Sequence, residues 1–480
     1  MVQISPLTFP PDINEYMASM FPYQEHDFIL FLKQIEERGF AVCHWEQGLG
    51  KTLVSIRLAD AIAARRVLVL CPAIARLSWT DESEKWGIVD REIILIRGSA
   101  DVRKLDKAPD KPLLVICTYD LCRNDRLRHK LRDFGFDFAI LDEFQQVRSP
   151  TAKRTGAVYG IGEGVLTKIP RLIIMSGTPI VSWPMDLWTH LKRFGPARIL
   201  GPDGKPMSAH QFKYRYHVVK LQSLPNTDKK LEKIIRVKDL DDLKRRTQGW
   251  AVRRRKVEVL KDLPPISTRT WPVEGDAKSK KILMDGLKDE LPPHIYSALA
   301  NAKTDADMEV AMRMIAQSSA HVAKVQRLSG TAKAAPVARA LAEELDESTY
   351  KIGVFAWNID VVETLHAQLR RFHSVVITGA TSHSQRREAV DRFMHGDSRV
   401  FIGQIQACGT ALTLTAASRV VFVQLSWTPG DNAQAAARFH RIGQKEPVDV
   451  RVAYLSGTVD DGFSRVLTKK SRAANILIEN

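Results

Sequence analysis

Short apolar runs alternate with amphipathic stretches through about the first 190 of this chain's 480 residues. Ala41–Trp45, Val67–Cys71, Leu113–Cys117, Phe138–Leu141 and Leu172–Met175 are continuous apolar runs, so each predicts a buried strand. Leu53–Arg65 and Asp186–Arg193 predict helices between or after them. Short buried strands with crossover helices imply a parallel sheet covered on both faces. From about 200 to 265 the chain turns basic and helical, between Gly201-Pro202 and Leu263-Pro264-Pro265. Residues 275–348 are rich in Ala, Lys and Glu and predict helix throughout. Alternation resumes with Gly353–Trp357, Ser374–Thr378, Val400–Ile405, Val420–Leu425 and Val448–Val452. The pattern predicts an α/β protein with two parallel-sheet lobes and helical material between them. It contains no repeat of the ~20–50-residue kind.

Composition adds two things. With 44% hydrophobic and 26% charged residues, the chain can bury large cores, which excludes a disordered or fibrous protein. Seventy-one Lys and Arg against fifty-five Asp and Glu leave a charge of +16. That balance favours nucleic acid or an anionic membrane face as partner over acidic small molecules. No run approaches the ~18–20 apolar residues that span a bilayer, so no membrane segment is expected. The start, MVQISPLTFPPDINEYM, lacks a secretory pattern. Cys43, Cys71, Cys117, Cys122 and Cys408 are scattered through apolar surroundings and read as buried thiols of a reducing, cytoplasmic compartment. Cys117 and Cys122 have no second Cys or His pair at finger spacing, so no zinc site is expected.

The strongest local signal is Trp45-Glu46-Gln47-Gly48-Leu49-Gly50-Lys51-Thr52, between an apolar run and a helix. A loop entering a helix N-terminus points several N–H groups at one place, which suits a polyphosphate such as that of ATP. Gly48 and Gly50 allow close backbone approach, Lys51 suits the β and γ phosphates, and the Thr52 hydroxyl suits Mg²⁺. Trp45 stands where the strict pattern has Gly. Asp142-Glu143 follows 91 residues after Lys51, at the end of the apolar run Phe138–Leu141, where ligands of parallel sheets bind. Asp142 is the candidate metal ligand and Glu143 the candidate for polarising the attacking water.

These residues, taken in order with others from about 20 to 455, resemble the Swi/Snf-type ATPases of helicase superfamily two, and within them the HARP-like annealing helicases. Met20-Phe21-Pro22-Tyr23-Gln24 is similar to the family's adenine-reading segment, with Tyr23 and Gln24 at the nucleotide. Gly48–Thr52 resembles the family's Gly-Leu-Gly-Lys-Thr, which also lacks the strict first Gly. Cys71-Pro72 with Trp79, Glu82 and Lys85-Trp86, then Thr118-Tyr119, are similar to segments that touch the DNA backbone. Ser176-Gly177-Thr178-Pro179 resembles the segment coupling hydrolysis to movement. In the second lobe, Val354–Trp357, Gly379–Ser382 with Arg386 and Phe393, and Gln406–Leu414 fit the family's spacing. Trp427–Gly430, Gln434, Arg438 and His440-Arg441-Ile442-Gly443-Gln444 complete the series.

The resemblance implies two RecA-like lobes flanking an ATP cleft. It divides the chain into a first lobe (1–200), a basic helical protrusion and linker (201–265), a helical insertion (266–335) and a second lobe (336–480). ATP and Mg²⁺ are the implied cofactors, with Glu46, Gln47, Leu49, Gly409 and Gln434 joining the nucleotide set. Arg441 is the implied arginine finger, with Arg438 beside it. The two are three apart, so on a helix they share a face. Trp79, Thr118, Trp357, Thr413 and Arg253, Arg254 and Arg255 are the implied DNA contacts.

Three departures stand out. Gln145 replaces the His usual after Asp-Glu-x, and can still donate and accept hydrogen bonds toward the second lobe, though it carries no charge. Ser182 replaces a frequent Asn, and Ala411 a common Gly. The basic run 244–261 reads either as a solvated face or as a phosphate-binding stretch that reads no sequence. Trp79, Trp86, Trp250 and Trp357 suit either base stacking or core packing. The leading expectation is a DNA-dependent ATPase that translocates on duplex DNA and remodels or re-anneals it. A strand-separating helicase acting on forked or single-stranded DNA is a second reading; the lack of an evident wedge domain counts against it, and a short pin would have to lie within 266–335. A non-hydrolysing DNA-binding scaffold is a third.

Overall fold

The computed structural model of the protein describes residues 12–107, 109–180, 183–223, 230–408 and 412–468. Two compact units meet in sequence at Val259 and Leu260. In the first, strands β1 (Phe40–Trp45), β2 (Arg66–Cys71), β3 (Glu92–Leu95), β4 (Leu113–Thr118), β5 (Phe138–Asp142) and β6 (Arg171–Met175) follow one another with helices between. A hairpin of β7 (His217–Ser223) and β8 (Lys230–Val237) comes next, then the short β9 (Val252–Arg254). The sheet order is β3-β4-β2-β5-β6-β1-β9, and every pairing in it is parallel. All six residues of β4 are buried, as are all but the last of β5. Burial on both faces is why these strands read as unbroken apolar runs.

The second unit holds β10 (Ile266–Val273), β11 (Ile352–Ala356), β12 (Val375–Ile377), β13 (Val400–Gln404), β14 (Arg419–Phe422) and β15 (Val448–Leu455). Their order is β10-β15-β14-β11-β13-β12, again wholly parallel. Four helices, Ala277–Glu290, Pro293–Ala300, Asp305–Ile315 and Ser319–Asp346, join β10 to β11. Leu283, Leu287, Ile295, Met312 and Ile315 form their own apolar core with Phe463 and Val466.

The predicted buried strands are all present, with ends shifted by a residue or a few. Five strands were not legible: β3, β7, β8, β9 and β10. Residues 201–265, expected to be helical, contain the hairpin and an edge strand of the first sheet. Residues 266–335, expected as a helical insertion, begin with an edge strand of the second sheet. The reason is register. β9 exists because Cys43, His44 and Trp45 pair with Val252, Arg253 and Arg254. β10 reads Ile-Ser-Thr-Arg-Thr-Trp-Pro-Val, half polar and with a proline, as suits a sheet edge. It is specified by pairing with β15 along its whole length. The predicted helix Leu53–Arg65 begins earlier, at Lys51, and ends at Ala61.

All five cysteines are buried and free. Among the described residues no helix is long and apolar enough to cross a membrane.

Candidate functional site

In the first sheet β5, β6 and β1 are neighbours, so the segments following them emerge side by side. After β1 comes the loop 46–50, which feeds the helix Lys51–Ala61. Gly48 and Gly50 have φ of 82° and 83°, a left-handed conformation that favours glycine. A Cβ on Gly50 would also lie 2.3 Å from Gln24 Nε2. Trp45 proves not to be a loop residue. It ends β1, wholly buried, edge-on to Tyr23 at 5.5 Å and tilted against Phe31 at 5.8 Å. A glycine is needed only where the backbone leaves the strand, which explains the departure from the strict pattern.

Lys51 Nζ donates to the carbonyls of Trp45 at 3.0 Å and Glu46 at 3.2 Å, within the loop. Tyr23 Oη and Gln24 Nε2 donate to Leu49 O at 2.9 and 2.8 Å. Gln24 Oε1 meanwhile accepts from Phe21 N at 2.8 Å. The amide expected at the adenine thus ties the loop 46–50 to the helix Pro22–Arg38 through Nε2 and caps that helix's own N-terminus through Oε1. After β6, Gly177 passes close to that loop, since a Cβ there would lie 2.9 Å from Gln47 Cγ and 3.4 Å from Lys51 Nζ.

After β5 stand Asp142 and Glu143. Trp79 Nε1 donates to Asp142 Oδ2 at 3.0 Å, and Tyr119 Oη to the Asp142 carbonyl at 2.8 Å. Burial, and then the neighbouring Glu143, push the Asp142 carboxyl up to about 6, against the pull of Trp79 and Lys51. Glu143 sits at φ 52°, a left-handed conformation uncommon for a non-glycine residue. Strain of this kind concentrates at functional sites. Its Oε2 accepts from Gln145 Nε2 at 2.7 Å and from Ser176 Oγ at 3.4 Å. Gln145 Nε2 also reaches Thr178 Oγ1 at 3.5 Å, and Ser176 Oγ accepts from Thr178 N at 2.9 Å. Gln145 Nε2 is therefore engaged within its own lobe, while its buried Oε1 has no hydrogen-bond partner among the described residues. Ser176 and Tyr119, not singled out as site residues from sequence, hold the carboxylate pair, and the string Ser176–Pro179 was the available signal.

The donor set fits a Mg–nucleotide: a glycine-lined loop, one lysine, the Thr52 position one residue on, and a desolvated carboxylate. The described residues offer no group of three or more His, Cys, Asp or Glu suited to a metal. Mg²⁺ is ordinarily held by one or two carboxylates together with phosphate oxygens and water.

The residues expected on DNA are differently placed. Trp79 is buried at 2% exposure beneath Asp142, so it supports the carboxylate and presents no stacking face. Thr118 is buried, its Oγ1 accepting from Leu121 N at 3.3 Å. Arg254 grips the fully buried Asp27 through Nε and Nη2 at 2.8 and 2.6 Å. Arg255 pairs with Glu258 at 2.7 Å. Arg253 is exposed and lies opposite His44. Arg254 O accepts from Glu46 N at 3.0 Å, and Lys256 N donates to Glu46 Oε2, so this basic segment buttresses the phosphate loop. Of the tryptophans, Trp250 is also core, 2% exposed.

In the second unit Trp357 is half-buried. Its N–H donates to Gln424 Oε1 at 2.9 Å and its carbonyl accepts from Gln404 Nε2 at 3.2 Å. The helix Pro429–Ala436, which carries Gln434, stops before Arg438. Arg438 and Arg441 therefore do not share a helix face, contrary to the expectation from their spacing, because the helix ends before either of them. They lie in the turns that follow, Arg438 buried at 4% and Arg441 half-exposed, with Arg441 Nη1 at 3.3 Å from Thr413 Oγ1. Gln444 organises these turns. Its Nε2 donates to the carbonyls of Thr415, Ala417 and Phe439, and its Oε1 accepts from Lys445 N and Glu446 N. Gly409 and the departures Ser182 and Ala411 lie outside the described residues.

Comparison with known proteins places these features. The chain is 27% identical to the human "DNA annealing helicase and endonuclease ZRANB3" over 97% of its own length, but spans only 41% of that protein. It is 27% identical to a Caenorhabditis elegans homologue of "SWI/SNF-related matrix-associated actin-dependent regulator of chromatin subfamily A-like protein 1", covering 98% of this chain and 64% of the other. A solved "SWI2/SNF2 ATPase core in complex with dsDNA" from Sulfolobus solfataricus aligns over 100% of this chain and 95% of that one, with a TM-score of 0.43 and 19% identity. The helicase conserved C-terminal domain matches residues 336–443. The SNF2-related domain matches residues 23–321, most of the chain, and the protein belongs to that family.

Proposed function

We propose that the protein is a DNA-dependent ATPase that couples ATP hydrolysis to translocation on duplex DNA, remodelling or re-annealing it or displacing bound protein. The observation that carries the reading is the convergence of Lys51, Asp142–Glu143 and Ser176–Thr178 at the ends of three adjacent strands, in a chain of the SNF2-related family. The loop 46–50 cradles the phosphates, Lys51 moves from the loop carbonyls to phosphate oxygens, and Tyr23 and Gln24 set the adenine end. Thr52 and Asp142 hold Mg²⁺, which neutralises charge on the phosphates when bound. Glu143, oriented by Gln145 and Ser176, takes the proton of the attacking water. Arg441, with Arg438 beside it, supplies the positive charge that a departing γ-phosphoryl group requires, a contribution worth ~10³–10⁵ in rate in related systems. Gly409 and Gln434 complete the nucleotide set, and Trp357 and Thr413 are second-lobe DNA contacts. Binding is to backbone and shape, without base readout, and the protein is DNA-associated in the cell.

The test is ATP turnover with duplex, forked and single-stranded DNA, run beside a strand-displacement assay. Stimulation by duplex without displacement is expected. Robust displacement would turn the reading to strand separation, and no turnover with any nucleic acid would overturn it.

A further inference from the structure

The hairpin of β7 and β8 stands outside both large sheets and pairs only with itself. A lone two-stranded ribbon is marginal in water, so its persistence depends on how it is mounted. The mount is firm. The preceding helix Ala209–Tyr216 buries Phe212 and Tyr216 completely in the first unit's core. Tyr216 Oη donates to Asp242 Oδ2 at 3.0 Å, and Lys238 N returns to Tyr216 O at 2.9 Å. The hairpin's acid, Glu232, is held at this base by Lys213 Nζ at 2.6 Å and Tyr214 Oη at 2.9 Å.

What the ribbon carries outward is positive. Residues 217–238 contain six Lys and Arg against two acids, Asp228 and Glu232. Lys220, Arg236 and Lys238 are exposed. The register sets Lys220 opposite Lys233. In the basic run 244–261, by comparison, Arg246, Arg254 and Arg255 are paired with carboxylates, while Lys244, Arg245, Arg253 and Lys261 are exposed.

We infer that the β7–β8 hairpin is a nucleic-acid arm, whose cations Lys220 and Arg236 lie on the phosphate backbone of the bound duplex. The inference rests on the DNA-dependent reading above and adds a contact surface to it. Phosphate is favoured over an acidic protein because the exposed charged side chains described on the ribbon, Lys220 and Arg236, with Lys238 just beyond it, are all cations. Among the hairpin's described side chains, Leu221 is the only large apolar one that is exposed.

The experiment uses the full chain and a labelled duplex of mixed sequence, titrated across a salt series. Lys220→Ala/Arg236→Ala should lower the slope of log affinity against log salt by about 2, the equivalent of two phosphate contacts. Lys220→Arg/Arg236→Lys should keep the wild-type slope, and DNA-free ATP turnover should be unchanged in both. A slope unchanged in the alanine variant, with DNA still stimulating wild-type turnover, overturns the arm while leaving the proposed function standing. A wild-type chain that no DNA stimulates removes the proposed function and the arm with it.

Discussion

Residues 45–52 and residues 244–261 both announce chemistry in the sequence, and both lie beside the end of β1, yet the fold uses them differently. The first stretch has the geometry of the nucleotide loop proposed above: its glycines have left-handed backbones, and its lysine lies among loop carbonyls with Asp142 and Gly177 close by. The second, expected on DNA, is divided: Arg246, Arg254 and Arg255 are held by carboxylates, and Lys244, Arg245, Arg253 and Lys261 are exposed. Arg254 locks the strand β9 to the buried Asp27, in the same helix whose Tyr23 and Gln24 hold Leu49. A glycine-lysine loop has one efficient use, whereas a run of arginines is equally suited to phosphates and to carboxylates, and only the neighbours decide.

Substitutions should separate the two stretches by kind of effect. Lys51→Ala and Glu143→Gln should each cut turnover by about 10²–10⁴-fold while duplex binding and melting temperature hold. Normal hydrolysis in either variant would remove the site assignment. Arg254→Ala leaves Asp27 charged and buried, and should lower stability by about 2–4 kcal/mol, discounted for the partial exposure of the arginine. Urea denaturation measures this, and weakened DNA binding at unchanged stability would break the contrast drawn above.

A third test concerns His44 and His190, which flank Phe144 at 5.6 and 4.4 Å beneath the carboxylate strand. Burial pushes both rings down to about 3. Their folded values lie below the unfolded one, so their stabilisation is full above about 6.5 and is lost as pH falls from there toward 3. Each should cost about 2 kcal/mol between pH 7 and pH 5, and His44→Phe should remove one share of that loss in urea melts at the two pH values. Smaller again, Gln145→Leu deletes the hydrogen bond to Glu143 and should lower kcat about tenfold with KM for ATP little changed. An equal rise in KM would point to binding instead. Smallest of all, Arg255→Ala breaks a partly exposed pair and should shift stability by no more than about 1 kcal/mol.

Much of the fold was legible because parallel strands buried on both faces leave continuous apolar runs, and β1, β2, β4, β5 and β6 do so. The hairpin, β9 and β10 were not, because each owes its strand geometry to a partner distant in sequence. Lys51, Asp142 and Glu143 were legible for a similar reason: chemistry and backbone geometry restrict which residues fit there. Gln145 was legible as a departure but not as Glu143's partner. Its direction depends on how the chain turns after β5 and on where Thr178 arrives from β6.

Local order in the sequence therefore determined the two α/β units, the phosphate loop and the carboxylate pair, since each is written within a few consecutive residues. Tertiary structure alone decided which cations are paired and which are exposed. An ion pair such as Arg254 with Asp27 joins positions far apart in the chain, and burial of the carboxylate, not the spacing of the arginines, makes it bind there. The same step set Trp79 beneath Asp142 as its hydrogen-bond donor, and folded part of the basic stretch 201–265 into a hairpin with Lys220 and Arg236 exposed.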